Sequence, residues 1–270
     1  MIERWLRDEL AIKRWSYFKR QKRAVFRLVD ISFLIVISLT SEMWANSRPL
    51  VLRFEGHTYF PFIKEYHPSI FNRNDILRMD YKNMELTGDN WAVWPIIRWD
   101  PFERNQVVDT FPSPPTTENI LGTDQSGRDV FARLFYGFRY TFIFSFAVWF
   151  FSSVVGITIG SIMGYFGGLT DIVSQRVIEI FESLPQLLLL ITMIAIFSPS
   201  ILWLVMFASV FSWIGVSQYI RAEFLKVRKR EFVEAAVAQG ASTPRVMFGH
   251  ILINSLTPWI TMSPFMISGF

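Results

Sequence analysis

The chain has 270 residues, of which 51% are hydrophobic and 17% are aromatic, and its net charge is +4. So apolar a composition is unusual for a soluble domain and indicates a membrane protein. The chain contains no cysteine, which excludes a disulfide framework and any thiolate metal site.

The N-terminal segment is strongly basic. Residues 1–27 contain nine Lys or Arg against three acids, whereas residues 47–139 contain eleven basic residues and twelve acids. Basic residues beside a membrane span mark the cytoplasmic side, which we favour over nucleic-acid binding. We therefore expect residues 1–23 to form a basic cytoplasmic tail.

The first predicted span, residues 24–45, is the weakest. Arg27, Asp30 and Glu42 leave only residues 31–39 as an uninterrupted apolar stretch. A cleaved signal peptide is the alternative. The long segment before residue 24 and the lack of a small-x-small cleavage site favour an uncleaved anchor.

Residues 46–139 are too long for a plain connection and too aromatic for a disordered one, so we expect a packed extracytoplasmic subdomain. It ends in LGTDQSGRDVFARLFYGFR, residues 121–139. This pattern predicts a turn over residues 122–127, then an amphipathic helix that Ser126 and Asp129 cap and that lies on the membrane.

Four further apolar runs have the length of a span, which requires roughly 20 residues. They cover residues 140–166, 177–197, 201–220 and 247 onward, so we expect about five transmembrane helices in all. Because the fifth run reaches the chain end without a polar flank, we expect a sixth helix to be missing. Pro258 and Pro264 are expected to kink the fifth.

Two polar or small-residue patterns lie within these runs. Gly156, Gly160 and Gly164 are four residues apart, on one helix face, which permits a close approach to another helix. Arg176 and Glu179 are three apart at the start of the third run and are expected to form a structural ion pair. A pore-lining role for them is the alternative.

The segment EFVEAAVAQGASTPRVMFGH, residues 231–250, is polar and lies between two apolar runs. We expect a helix over residues 232–239, a left-handed turn at Gly240, and a second helix that opens with Pro244 and is capped by Ser242 or Thr243. Residues 221–250 carry six basic residues against three acids, which predicts a cytoplasmic location. A surface hairpin without a partner is the alternative interpretation.

Two sets of residues resemble a known family. Glu234, Ala235, Ala236 and Gly240 are similar to the "EAA" loop of permease subunits in ABC importers, although Ile253 stands where that family usually has proline. A second match is similar to the signature of dipeptide and oligopeptide permeases before their second span; its residues are Gly122, Thr123, Asp124, Gly127, Arg128 and Asp129.

The resemblance implies an all-α polytopic membrane protein with the type I ABC importer permease fold, in which residues 140–270 form the core. It implies that the EAA loop, residues 221–250, docks on ABC ATPase subunits, which hold the ATP and Mg²⁺, so that this chain has no cofactor of its own. It also implies a second permease subunit, a periplasmic or lipoprotein substrate-binding protein, and a location in the bacterial inner membrane with a cytoplasmic N-terminus. The expected substrate is an oligopeptide or a peptide-like compound of the microcin C type.

Other functional classes find less support. His57, His67 and His250 share no local spacing, no Gly is followed by Lys as a phosphate-binding loop requires, and no nucleophile motif is present, so we expect no enzyme. An ion-coupled secondary transporter would need ionisable groups in its spans. Residues 140–166 and 201–220 contain no Asp, Glu, Lys, Arg or His, and the run 177–197 contains none after Glu182. A membrane receptor or assembly protein without transport remains an alternative.

Overall fold

A computed structural model describes residues 9–72, 79–105, 108, 110–198 and 200–270. The tail predicted at residues 1–23 therefore lies partly outside the described residues. The helices are α1 (Glu9–Arg20), α2 (Lys22–Leu39), α3 (Ser41–Trp44), α4 (Val130–Phe166), α5 (Gly168–Glu182), α6 (Gln186–Ile196), α7 (Ile201–Val227), α8 (Glu231–Ala238) and α9 (Leu252–Ser268). The strands are β1 (Val51–Phe54), β2 (His57–Tyr59) and β3 (Trp91–Val93). A 3₁₀ helix covers Pro68–Phe71 and a π-helix covers Arg245–Ile251.

The described chain is mostly helical, which confirms the predicted fold class. It divides into two compact units, one that ends at Tyr140 and one formed by Thr141–Phe270. The first unit contains the small sheet, which the all-α prediction did not include.

Two described helices are long and apolar enough to cross a membrane, α4 and α7, and the pair α5 and α6 makes a third if the bent pair counts as one span. The third predicted run is thus broken: α5 and α6 meet at an angle of 65°, and Pro185 lies in the break. The first run corresponds to α2, which includes Lys22, Arg23, Arg27 and Asp30. The fifth corresponds to α9, which contains Pro258 and Pro264 and directly follows the π-helix.

Helix α4 is 37 residues long, which at 1.5 Å per residue is about 55 Å. A bilayer core is about 30 Å thick, so the helix exceeds what a span needs. The amphipathic helix expected to lie separately on the membrane is instead the first part of α4. The helix does begin where the apolar pattern predicted it, but no residue near position 139 ends it, so it continues to Phe166.

The sheet of the first unit is antiparallel, in the order β2-β1-β3. Leu52 pairs with Tyr59 on one side and with Ala92 on the other. The β1–β2 turn places Glu55 and Gly56 at φ 48° and 81°, and positive φ at both positions is what a two-residue type I′ hairpin requires. Behind the sheet, Leu52, Phe71 and Tyr81 form a buried cluster with edge-on aromatic contacts.

In the second unit α4 and α7 pack through the three glycines. A Cβ added at Gly156 would lie 2.5 Å from the Val216 Cβ, and one at Gly160 would lie 2.4 Å from the Ser217 carbonyl oxygen. At Gly164 it would lie 2.4 Å from the Phe224 Cβ. The predicted close approach is therefore confirmed, and α7 is the partner helix.

Candidate functional site

Helix α8 is fixed to the second unit by one side only. Val233 and Ala236, three residues apart, are buried, and Val233 belongs to the cluster that contains Val227, Val246 and Ile251. Glu231 and Glu234 lie in the first turn, where a negative charge interacts favourably with the helix dipole. The helix therefore has an anchored apolar side and an exposed acidic side.

The end of α8 is a Schellman motif. Gly240 has φ +79° and its N–H donates to the Val237 carbonyl at 2.9 Å, while the Ala241 N–H donates to the Ala236 carbonyl at 3.1 Å. A Cβ at Gly240 would meet nothing within 4 Å. Glycine is therefore required here by the backbone conformation and not by space.

The segment after Gly240 differs from the expected capped α-helix. Pro244 has helical φ and ψ and no side chain caps this start, while the backbone N–H of Val246 donates to the Ser242 carbonyl at 2.9 Å. Residues Arg245–Ile251 then form a π-helix. Such helices are rare, and local pattern reasoning does not predict them.

The four EAA residues are not equivalent in the structure. Glu234, Ala235 and Gly240 are exposed, whereas Ala236 is buried. Exposed apolar side chains accompany them, with 44% of Phe232, 52% of Val237 and 47% of Phe248 accessible. The 231–250 segment thus presents an apolar surface with a carboxylate.

A recess of about 700 Å³ adjoins the start of α8. Lys226, Lys229 and Arg230 give it a basic wall, and Glu231 and Phe232 contribute the α8 side. The surface around α8 therefore combines a recess with charged side chains and an exposed aromatic side chain, and of these Phe232 and Arg230 are of the residue types enriched at protein interfaces.

Polar contacts attach the end of α7 to the neighbouring helices. Arg221 donates to both carboxylate oxygens of Asp171 on α5, at 2.5 and 2.6 Å. One turn away, the amides of Gln175 and Gln218 exchange hydrogen bonds at 3.0 and 2.9 Å. The bidentate pair was missed in the sequence because its members are 50 residues apart, although both were visible as charges at the ends of apolar runs.

On α5, a guanidinium nitrogen of Arg176 lies 2.6 Å from a carboxylate oxygen of Glu179. Their side chains are 73% and 53% exposed, so the pair contributes little to stability in water.

Arg228, just beyond α7, donates to the Gly164 and Tyr165 carbonyls at 3.2 and 2.9 Å and thereby caps the end of α4. Sequence reasoning did not find this role for Arg228.

The signature before α4 forms a tight polar turn around Asp124. The Asp124 carboxylate accepts hydrogen bonds from the backbone N–H groups of Ser126 and Arg128, at 2.8 and 3.0 Å, and from the guanidinium groups of Arg128 and Arg133. Burial alone would raise the pKa of Asp124, but these hydrogen bonds more than offset burial and hold the pKa below its ordinary value. Asp124 therefore organises the turn as an anion.

The two glycines of the signature have positive φ, +74° at Gly122 and +78° at Gly127. A Cβ at Gly122 would lie 2.3 Å from the Ser113 carbonyl oxygen, and one at Gly127 would lie 2.5 Å from the Phe111 ring. Thr123 continues this packing, since its Oγ1 accepts from the Ser113 N–H at 3.0 Å. Both glycines are thus required by conformation and by space.

Asp129 caps α4 and closes a buried polar chain. Its Oδ1 accepts from the Ala132 N–H at 2.7 Å and its Oδ2 from the Asn119 side-chain amide at 2.7 Å. Asn119 in turn accepts from the Asn105 amide at 2.6 Å, and all three residues are fully buried. Ser126 takes no part in this cap, contrary to the expected capping box, and Asn105 and Asn119 carried no sequence motif that could have identified them.

The three histidines do not form a site. His57 lies in β2, His67 caps the 3₁₀ helix, and His250 lies in the π-helix. Among the residues that the structure describes, no group of three or more His, Cys, Asp or Glu side chains is placed to hold a metal ion.

Comparison with known proteins is consistent with this geometry. Residues 156–270 match the family model described as "Binding-protein-dependent transport system inner membrane component". The chain is 35% identical over 259 residues to the inner membrane ABC transporter permease protein YejE of Escherichia coli (strain K12), an alignment that covers 94% of this chain and 76% of that protein.

Two other relatives extend the comparison. The peptidoglycan transport system permease protein YejE of Agrobacterium fabrum is 34% identical in an alignment of 286 positions, gaps included, that covers 95% of this chain and 75% of that protein. The oligopeptide transport system permease protein OppC of Lactococcus lactis subsp. cremoris is 34% identical over 164 residues, which cover 60% of this chain and 56% of that protein.

Proposed function

Because the chain belongs to the family of inner membrane permease components of binding-protein-dependent ABC transport systems, we propose that it is a permease subunit of an ATP-driven importer of oligopeptides or peptide-like compounds. The names of its relatives support this substrate class, since they refer to oligopeptide, dipeptide and peptidoglycan transport. A compound of the microcin C type falls within the same class.

One observation carries the proposal: α8 is anchored by a buried side and exposes Glu234, Ala235 and the Gly240 turn. A helix that is held rigidly and protrudes can transmit a displacement, whereas a loosely attached loop would absorb it. The exposed Phe232 and Val237 supply apolar contact area, and the carboxylate of Glu234 supplies orientation. We assign this surface to docking on an ABC ATPase subunit.

In this mechanism, ATP and Mg²⁺ are held by two partner ATPase subunits and not by this chain. ATP binding closes those subunits and moves the 231–250 segments of this chain and of a second permease. The displacement shifts the pair between inward-facing and outward-facing states, as a ligand shifts any two-state equilibrium for which it has differential affinity. The chain itself catalyses no reaction.

The proposed orientation places the N-terminus and residues 221–250 in the cytoplasm and residues 46–139 outside the inner membrane. Six basic residues against three acids in residues 221–250 support it through the positive-inside rule. The outer subdomain then receives the substrate from a periplasmic or lipoprotein substrate-binding protein.

The two rival functions have less support. An ion-coupled secondary transporter needs ionisable side chains or broken helices near the midplane. The only described break is that between α5 and α6, and residues 141–166 of α4 and 201–220 of α7 contain no charged residue or histidine. A receptor or assembly protein without transport could also use the exposed α8 for docking, but the names of the relatives refer to transport.

The test is co-purification of the ATPase subunit with Glu234→Lys. The substitution replaces the carboxylate that we assign to orientation with a cation, and recovery of the ATPase is therefore expected to fall by about tenfold. The matched control is Glu85→Lys, which makes the same change at an exposed position of the 46–139 subdomain and should leave recovery intact.

Full recovery of the ATPase with Glu234→Lys would contradict the docking assignment. Transport is measured separately, as ATP-dependent uptake of a labelled tripeptide by vesicles that contain the complete complex. Uptake at full rate in vesicles without any ATPase subunit would refute the proposed importer.

A further inference from the structure

The subdomain of residues 46–139 contains two adjoining recesses of about 850 and 510 Å³. They share Asp80, Tyr81, Lys82 and Glu103 as a common wall. Cavities of this size accommodate small molecules. The wall residues come from the segment before β3 and from the chain that follows β3, so the recess is part of the folded subdomain.

The larger recess has an aromatic lining with a neutralised lysine. The Lys82 ammonium lies 3.5 Å from the centre of the Trp99 ring and 2.8 Å from a Glu103 carboxylate oxygen. Trp99 is itself fixed, because its indole N–H donates to the Glu118 carbonyl at 3.1 Å. Lys82 and Glu103 therefore satisfy each other.

Two guanidinium groups line the same recess without such a partner. Arg98 lies 5.3 Å from the centre of the Trp94 ring, and Arg104 lies 4.8 Å from that of Phe111. Both are exposed, and within the described residues neither forms an ion pair. A guanidinium that lies over a ring face and has no ion-pair partner can still donate N–H groups to a carboxylate.

Two further polar groups belong to this wall. The Glu118 carboxylate is exposed and makes no ion pair within the described chain. The Tyr81 side chain is 6% exposed and belongs to the wall that the two recesses share.

We propose that this recess binds a short peptide with free termini, with the terminal carboxylate at Arg98 and Arg104 and the terminal ammonium at Glu118. The inference rests on the proposed peptide import and adds a second place, on the permease itself, where the substrate is held. The indole rings of Trp94 and Trp99 offer apolar contact to its side chains. A peptide with both termini charged matches a wall that offers both signs of charge and no net excess.

The experiment measures binding of tri-alanine to the full chain in nanodiscs, without a substrate-binding protein, by titration calorimetry. Saturable binding is expected. Arg98→Gln and Glu118→Gln should each weaken it by about tenfold, the usual effect of losing one charge-assisted hydrogen bond. Arg53→Gln, an exposed arginine of β1 outside the recess, is the matched control and should bind as the parent does.

Modified tripeptides identify which terminus each residue contacts. The parent protein should bind the C-terminal amide and the N-acetyl form about tenfold more weakly than the free tripeptide. Arg98→Gln should lose part of the discrimination against the amide, because Arg104 still contacts the carboxylate, and should keep that against the N-acetyl form. Glu118→Gln should lose only the discrimination against the N-acetyl form. A general structural defect would weaken the binding of every tripeptide alike and would not separate the two kinds of discrimination.

The inference is overturned if Arg98→Gln, Glu118→Gln and the Arg53→Gln control bind tri-alanine with equal affinity. It is also overturned if the parent protein does not bind tri-alanine. Loss of capture of the substrate-binding protein by Arg98→Gln, with tri-alanine binding unchanged, overturns it as well and assigns the recess to protein docking. Uptake by the complete complex is measured in parallel. If the complex takes up peptide although the recess does not bind it, only the recess proposal is refuted. If the recess binds peptide although the complex does not take it up, only the importer proposal is refuted.

Discussion

Substitution of Gly160 by alanine probes the contact between α4 and α7 most directly. The added Cβ would lie 2.4 Å from the Ser217 carbonyl oxygen and 3.0 Å from the Ser217 Cα. Ordinary van der Waals contact begins near 3.4 Å, so the two helices would have to move apart by about 1 Å. Because both contacted atoms belong to the backbone, no change of side-chain rotamer can relieve the overlap. Overpacking of this kind costs about 1–3 kcal/mol.

Gly215→Ala is the matched control, because a Cβ there meets nothing within 4 Å and the residue also lies inside a helix. Both substitutions gain the same helix propensity, about 1 kcal/mol, so their difference isolates the steric cost. The assay is unfolding of the purified protein by an SDS titration, followed by tryptophan fluorescence. Gly160→Ala should unfold at a clearly lower SDS fraction than Gly215→Ala. Equal midpoints would refute the close packing of the two helices.

Three further outcomes follow from the contacts. Gly240→Ala should lose about 1–2 kcal/mol of local stability because of its positive φ. Gly249→Ala should not, because its Cβ would meet only the Arg245 Cγ at 3.9 Å, an ordinary contact; hydrogen exchange of the segment distinguishes the two variants. Asp129→Ala removes a helix cap and leaves the buried Asn119 amide unsatisfied, so about 2–4 kcal/mol should be lost, and unchanged amide protection at the start of α4 would contradict this. The lowered pKa of Asp124 stabilises the fold above the unfolded-state pKa, near 4, and this contribution should disappear as the pH falls through the folded-state pKa. When the unfolding free energy of Asp124→Asn is measured against pH in the acid range, this pH-dependent contribution should be absent.

Much of the fold could be predicted where one physical requirement determines the local structure. The apolar runs at residues 140–166 and 201–220 lie within α4 and α7, because length and hydropathy alone determine a span. The four-residue glycine spacing predicted a close helix contact, and Gly240 lies at a left-handed turn because helices commonly end in this way. In each case the signal was local.

The remaining features depend on residues far apart in the sequence. The Asp171–Arg221 pair joins two helices, and the Asn105–Asn119–Asp129 chain assembles only when the loop has folded. The sheet was missed because β2 and β3 are three residues long, too short for an alternating pattern to be recognised.

The contacts of Arg221 and Arg228 have a mechanical consequence. Both residues lie at the end of α7 from which α8 departs, and they connect that end to α5 and to the last turn of α4. A force applied to α8 is thus received by three helices as one stiff block. The arm beyond Gly240 is bound to the same block, because Val246, Met247 and Ile251 of the π-helix lie in the buried cluster that contains Phe224, Val227 and Val233. A displacement of α8 will therefore reach both α7 and α9 with little bending between them.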